Sequence, residues 1–263
     1  MDGKASQLIP LCVPYGGRGQ AKAAGARWNP EQRQWECEPE LLSGPSYPRL
    51  RPFVPRMHRP DLAGPAIRPW LVPSPLWGKN LRALLLPQQW DEVRRAAYGR
   101  AGYRCIVCGG RGPEWPVEAD EAWSYDDERL IHKLVGVVAL CPDCHAVRHW
   151  GHSELHGKGE AAFAKLMAVN RWTEDQAGAA VDEAFEVWSR RSEQTWTSDY
   201  GWVAREHGFE ISAEGYARAE AANREYATTG EAEPQSAVAA PAQPPPPRNP
   251  ITDLLRSLFR RSR

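Results

Sequence analysis

Residues 137–152 read VVALCPDCHAVRHWGH, and the reading of this stretch decides the fold. An apolar run, Val137 to Leu140, leads into Cys141 and Cys144, and His145, His149 and His152 follow at once. Two residues between cysteines let both thiolates face one ion. A second pair of this kind, Cys105 and Cys108, lies upstream in RCIVCGGRG, with glycines where the backbone must fold tightly. Four thiolates close a tetrahedron and leave no position for substrate, which is the arrangement of a structural zinc. His145 and His149 stand four residues apart, so on a helix opened by Cys141 they share one face and can bind a second metal. The alternative is that His145 replaces a cysteine as ligand or supports one by hydrogen bonding. The stretch is thus either a structural knuckle or the metal-binding half of a hydrolytic site.

The rest of the composition sets the frame. With 42% hydrophobic and 25% charged residues in 263, the chain has ordinary globular proportions. No apolar run approaches the roughly 18 residues of a membrane span, and MDGKASQLIP has no signal-peptide core, so a cytoplasmic location is expected. In a reducing compartment the two Cys-x-x-Cys pairs favour metal over disulfides. Cys12 and Cys37 stand alone and are expected to be small buried apolar residues. The formal net charge is zero, yet both ends are basic and the helical stretch 173–234 is acidic. Local fields decide where a polyanion docks, so neutrality does not exclude nucleic acid.

In LCVPYGGRGQAKAAGARWNPEQRQWECEP, residues 11–39, Leu11–Tyr15 alternates as a strand, Gln20–Ala26 is a short helix, and Arg33–Cys37 returns as a second strand after Asn29-Pro30. Val13-Pro14-Tyr15, then Ala21-Lys22-Ala23-Ala24-Gly25-Ala26-Arg27-Trp28, then Trp35 resembles a small domain of uncharacterised function often attached to plasmid-type DNA primases and other DNA-processing proteins. Arg18, Lys22, Arg27 and Arg33 beside Tyr15, Trp28 and Trp35 suit phosphate contact with base stacking. Equally, the two tryptophans form the core that so small a unit needs. The segment from Pro45 to Pro75 carries Arg49, Arg51, Arg56, Arg59 and Arg68 against the single acid Asp61 and lacks apolar periodicity, so it reads as a cationic linker able to track a phosphate backbone.

Helices are predicted from Pro87 to about Gly102, over 160–170 and over 173–192, the last with a Thr173/Gln176 capping box. Residues 229–249 are low in complexity and read as disordered. The end, 250–263, places Ile251, Leu254, Leu255, Leu258 and Phe259 on one helical face with arginines opposite, which suits a protein groove or an anionic membrane.

Two cysteine pairs spread by a long insertion, with Leu140-Cys141-x-x-Cys144-His145 as the second, resemble the zinc-stapled branch of the HNH endonucleases; the similarity runs over about residues 87–200 and includes WSYDD at 123–127 and VNRW at 169–172. The resemblance implies a treble-clef-like ββα fold, with His145 as the helix metal ligand and His149 as its helper. It also implies an acid–His pair on the hairpin and an asparagine in the loop. Here the hairpin position reads VEADEAW, with no histidine, and KLVGVVAL has no asparagine. Asp120 and Glu121 are the residues left to serve as second ligand or base, with Asp126 and Asp127 nearby, and a carboxylate–imidazole set suits magnesium or manganese as well as zinc.

The expected fold is α+β: a strand–helix–strand module (1–44), a Pro/Arg-rich linker (45–86), a zinc-stapled HNH-like domain with helical extension (87–228), then the tail. The expected function is a nucleic-acid-associated zinc protein of HNH type, with DNA the favoured partner. It is either a metal-dependent endonuclease or a binding or adaptor protein on a degenerate nuclease scaffold.

Overall fold

The computed structural model describes residues 7–229; residues 1–6 and the expected disordered segment and terminal helix beyond 229 lie outside them. The architecture is α+β, with two three-stranded sheets. In the first, β1 (Ile9–Leu11), β2 (Arg27–Asn29) and β3 (Gln34–Cys37) lie in the order β1-β3-β2, antiparallel throughout, and α1 (Arg18–Ala23) connects β1 to β2. The strand β2 is additional to the expected pair. It forms because Asn29 Oδ1 accepts the amides of Glu31 and Gln32, each at 3.1 Å, and Arg33 takes a left-handed φ of 48°. That side-chain turn folds Trp28 back opposite Trp35. Cys12 and Cys37 are buried and free.

Residues 45–86 differ from the linker that their composition suggests. They run through α2 (Tyr47–Leu50), several 3₁₀ turns and α3 (Leu81–Leu84), and they enter three hydrophobic cores. Leu50, Phe53 and Val54 complete the core under the first sheet, and Ala66 and Ile67 pack beside the cysteine pairs. A proline-rich chain makes few hydrogen bonds with itself, so its buried amides need partners elsewhere. Arg56 N donates to Ile106 O at 2.9 Å and Met57 N to Val107 O at 3.0 Å. Asn170 serves as the other anchor: its Oδ1 accepts from Ala66 N at 2.7 Å and Ile67 N at 3.2 Å, and its Nδ2 donates to Ile67 O at 2.9 Å. The segment is a strap that composition could not distinguish from a spacer.

The second sheet is built on a long hairpin. After α4 (Pro87–Arg100), strands β4 (Glu118–Asp126) and β5 (Ile131–Leu140) pair antiparallel, with a bulge between Ala122 and Trp123. Next come α5 (Pro142–Arg148), α6 (Trp150–Leu155), α7 (Gly159–Asn170) and α8 (Glu174–Ser192). A short β6 (Thr197–Asp199) joins parallel to β5, and α9 (Gly201–His207) and α10 (Ala213–Thr229) close the described chain. Pro87 sits in the first turn of α4, and the Thr173/Gln176 box caps α8.

Alternation along the hairpin sends its two faces into different cores. Leu134 and Val137 join Val93 and Ala97 of α4 and Val203 of α9, whereas Leu140 joins Val147, Trp150, Leu166 and Val181 around the cysteines. This second face carries the cysteine pairs and Asp120. Among the described residues, no helix is long and apolar enough to cross a membrane.

Candidate functional site

Cys105 and Cys108 follow α4 in a tight turn in which Gly109 N donates to Cys105 O at 2.8 Å, with Gly109 at φ 74°. A Cβ on Gly109 would meet Pro10 and Pro55 ring carbons at 2.8 and 2.9 Å, so no larger residue fits there. Cys141 is the N-cap of α5 and Pro142 starts its first turn, which aims Cys144 back toward Cys141. All four sulfurs lie within 4.8 Å of one another, and Cys108 Sγ is 3.6 Å from Cys141 Sγ. A disulfide needs about 2.05 Å. Zinc–sulfur bonds of about 2.3 Å in a tetrahedron place the sulfurs about 3.8 Å apart, and the cluster fits that spacing. The four thiols share hydrogen bonds, which lower Cys108 and Cys141 and raise Cys105 and Cys144, so without an ion they divide the negative charge unequally. Burial lowers Lys165, yet Cys108, Cys144 and Cys141 outweigh it and push this lysine up to about 12. The four cysteines could therefore hold a metal such as zinc.

A second cluster stands beside the first. Asp120 on β4 faces α5, and its Oδ1 lies 3.1 Å from His149 Nε2 and 3.9 Å from His145 Nε2. The three ligand atoms lie within 4.8 Å of one another. Ligand bonds of about 2.1 Å place neighbouring donors about 3.0 Å apart in an octahedron and about 3.4 Å in a tetrahedron, so a small contraction suffices. The two rings meet edge to face with centroids 4.4 Å apart; α5 ends at His149, yet His149 N still donates to His145 O at 2.9 Å. Burial would raise the Asp120 carboxyl, but Arg148 and the two imidazoles overcome it and hold the group well below the usual carboxylate range. Burial and the adjacent His145 ring lower His149. An ionised carboxylate beside a neutral imidazole is the state in which such groups bind metal.

Two further residues complete this cluster without having been singled out in the sequence. Glu118 Oε2 accepts from His145 Nδ1 at 2.6 Å, which turns the Nε2 lone pair of that ring toward Asp120. That hydrogen bond also depresses the Glu118 carboxyl. Arg148 Nε donates to Asp120 Oδ2 at 3.0 Å, and its guanidinium lies over the Trp70 ring at 4.6 Å. Glu118 was legible in principle: it lies two residues before Asp120 on a strand and so shares its face.

The same alternation removes Glu121 from the site. It lies on the opposite face of β4, where Oε1 accepts from Leu81 N at 2.6 Å and Oε2 from Trp123 Nε1 at 3.2 Å. Burial of this carboxyl, with Asp120 nearby, pushes it up to about 8. It holds the start of α3, which is a structural task. Asp126 and Asp127 lie at the hairpin turn, paired with Arg129 and Arg191.

The basic residues separate into two groups. Arg18, Lys22, Arg33 and Arg49 are exposed, with Arg18 over the Tyr15 ring at 4.2 Å and Arg49 O tied to α1 through Gln20 Nε2 at 3.0 Å. Arg27 pairs with Glu38 at 2.6 Å and Arg51 with Asp61. Arg56 Nε donates to Ala66 O and Arg59 Nε to Val54 O, each at 2.8 Å. Arg51, Arg56 and Arg59 are thus engaged within the strap, while the Arg27 pair lies in the first module. Comparison with family models, with curated proteins and with solved structures finds no match for the chain.

Proposed function

We propose that the chain is a metal-dependent phosphodiester hydrolase of HNH type acting on nucleic acid, with zinc at the four cysteines as a staple and a second divalent ion, magnesium or manganese, at Asp120, His145 and His149. The observation that carries this reading is the convergence of Asp120 Oδ1 with the Nε2 atoms of His145 and His149, oriented by Glu118. An ion held there would supply Lewis acidity and a water of lowered pKa. The remaining tasks belong to the chain. Glu118 fixes the tautomer and direction of His145. Arg148, anchored on Asp120 and Trp70, keeps N–H groups free of those contacts and offers positive charge where a phosphate would gain negative charge. The hairpin lacks the imidazole base of the family it resembles, so catalysis should be slower by about 10²–10⁴-fold than with a dedicated base.

One observation favours the second reading, a binding or adaptor protein on this scaffold: Asp120 already accepts from Arg148 and contacts His149, so the cluster satisfies itself as an ion-pair network. Nicking of supercoiled DNA in magnesium or manganese separates the two. The hydrolase reading expects His145→Ala to abolish nicking while zinc stays at one per chain. No cleavage of DNA or RNA with any divalent ion, together with a single bound metal, overturns it in favour of the scaffold.

A further inference from the structure

Against the Asp120 cluster lies a cavity of about 530 Å³, within the range of about 300–1,000 Å³ common for small-ligand sites. Its floor is the hairpin, through Ala122, Val138 and Leu140; one wall is α8, through Ala180, Ala184 and Val187; the other is the strap, through Ile67 and Trp70. Asp120 is shared, with Oδ1 turned to the histidines and Oδ2 to Arg148. Four arginines, Arg56, Arg68, Arg148 and Arg191, line the cavity against two carboxylates, Asp120 and Glu183. Arg56 is held through Nε and Nη2 by the Ala66 and Pro65 carbonyls and Arg191 through Nε and Nη2 by Asp127, whereas Arg148 commits only its Nε to Asp120 and Arg68 only its Nη1 to Glu183 at 2.6 Å, out of five N–H groups on each guanidinium. Arg148 against Trp70 makes a flat, cationic, aromatic platform beside an apolar floor. An occupant matched to these walls is planar and apolar on its faces, and it carries an anion at the end nearest Arg148.

We propose that this cavity receives one unpaired nucleotide of a single-stranded nucleic acid, with the base between the platform and the hairpin floor and the adjoining phosphate at Arg148, beside the Asp120 cluster. The proposal rests on the hydrolase reading for its meaning and adds a substrate class to it. A base paired and stacked within a duplex cannot enter a walled cavity without being turned out, at a cost of unstacking that a single strand does not bear. Stacking on aromatic and guanidinium planes is the usual way in which unpaired bases are held. Single strands and unpaired nucleotides are therefore preferred over blunt duplex.

The test uses the full zinc-loaded chain without added magnesium or manganese, and a fluorescein-labelled single-stranded oligodeoxynucleotide against a blunt duplex of the same sequence, read by anisotropy. The single strand should bind more tightly. Ala184→Phe, which fills the cavity from α8, should weaken single-strand binding by about tenfold or more, the share expected of one stacked base. Arg68→Gln, a half-exposed change that removes the charge without setting a second carboxylate against Glu183, should weaken it several-fold. Equal binding of strand and duplex, or full single-strand affinity in both variants, overturns the proposal. Manganese binding at Asp120, His145 and His149, followed by electron paramagnetic resonance, is scored separately. Manganese bound without a single-strand preference defeats only this proposal, whereas a preference lost in Ala184→Phe with no manganese bound defeats only the hydrolase reading.

Discussion

Removing one cysteine should show how much of the fold the metal carries. Structural zinc contributes on the order of 10 kcal/mol or more in small zinc domains, comparable with the whole stability of about 5–15 kcal/mol of a typical protein. The four sulfurs lie in one core with Leu140, Val147, Trp150, Leu166 and Val181, so an ion held by them would be the centre of that core. Cys141→Ser retains three ligands; if about half of the binding free energy goes, roughly 5 kcal/mol is lost. At about 2–4 °C per kcal/mol for a chain of this size, the melting temperature should fall by about 10–20 °C. Hydrogen exchange should localise the change, with β5, α5 and α7 losing protection. The first sheet has its own core of Ile9, Leu11, Leu50 and Phe53 and should lose less. A variant that kept one full equivalent of zinc and its parental melting temperature would refute the four-cysteine staple.

Three other outcomes are expected. Glu118→Ala should reduce manganese affinity about 10–100-fold, toward the lower end because the carboxylate is 40% exposed and water can replace it, with zinc content unchanged; unaltered titration by calorimetry counts against the orienting role. Glu121 titrates near 8 in the folded protein rather than near 4.5, so the native state keeps a proton that the unfolded chain releases, and stability should fall as pH rises from about 4.5 to about 8. Glu121→Gln should flatten that decline, and urea melts showing the parental slope would contradict it. Changing Arg18, Lys22, Arg33 and Arg49 together to Ala should reduce the salt dependence of single-strand binding by about 3 in logarithmic slope, at about 0.7 per phosphate contact. An unchanged slope would move the phosphate contacts elsewhere.

The clustering of the cysteines and of His145 with His149 was the most legible part of this chain, because its spacing rules are local. Two residues between the cysteines of each pair, and three between His145 and the C-cap His149, left the sulfurs together and the two rings side by side. Caps were legible for the same reason at Pro87 and Thr173. What spacing could not supply was the face of β4. VEADEAW has carboxylates at alternating and adjacent positions, and only the pairing of Asp120 with Val138 and of Glu121 with Val137 decides which one meets α5. The strap was opaque for a different reason. Its apolar residues follow no helical or strand period, and its anchor, Asn170, lies about a hundred residues away.

That anchor also orders events in time. Ala66 and Asn170 are separated by 104 positions, and their hydrogen bond closes the strap wall of the cavity against α7. Contacts so distant in sequence form late, since the chain between them must first be ordered. During synthesis the strap wall cannot be fastened until α7 has emerged, and the cysteine core shares that wait, because it takes in Ala66 and Ile67 of the strap and Val181 of α8. The core around the cysteines and the strap wall of the cavity therefore close together, once α7 and α8 are in place.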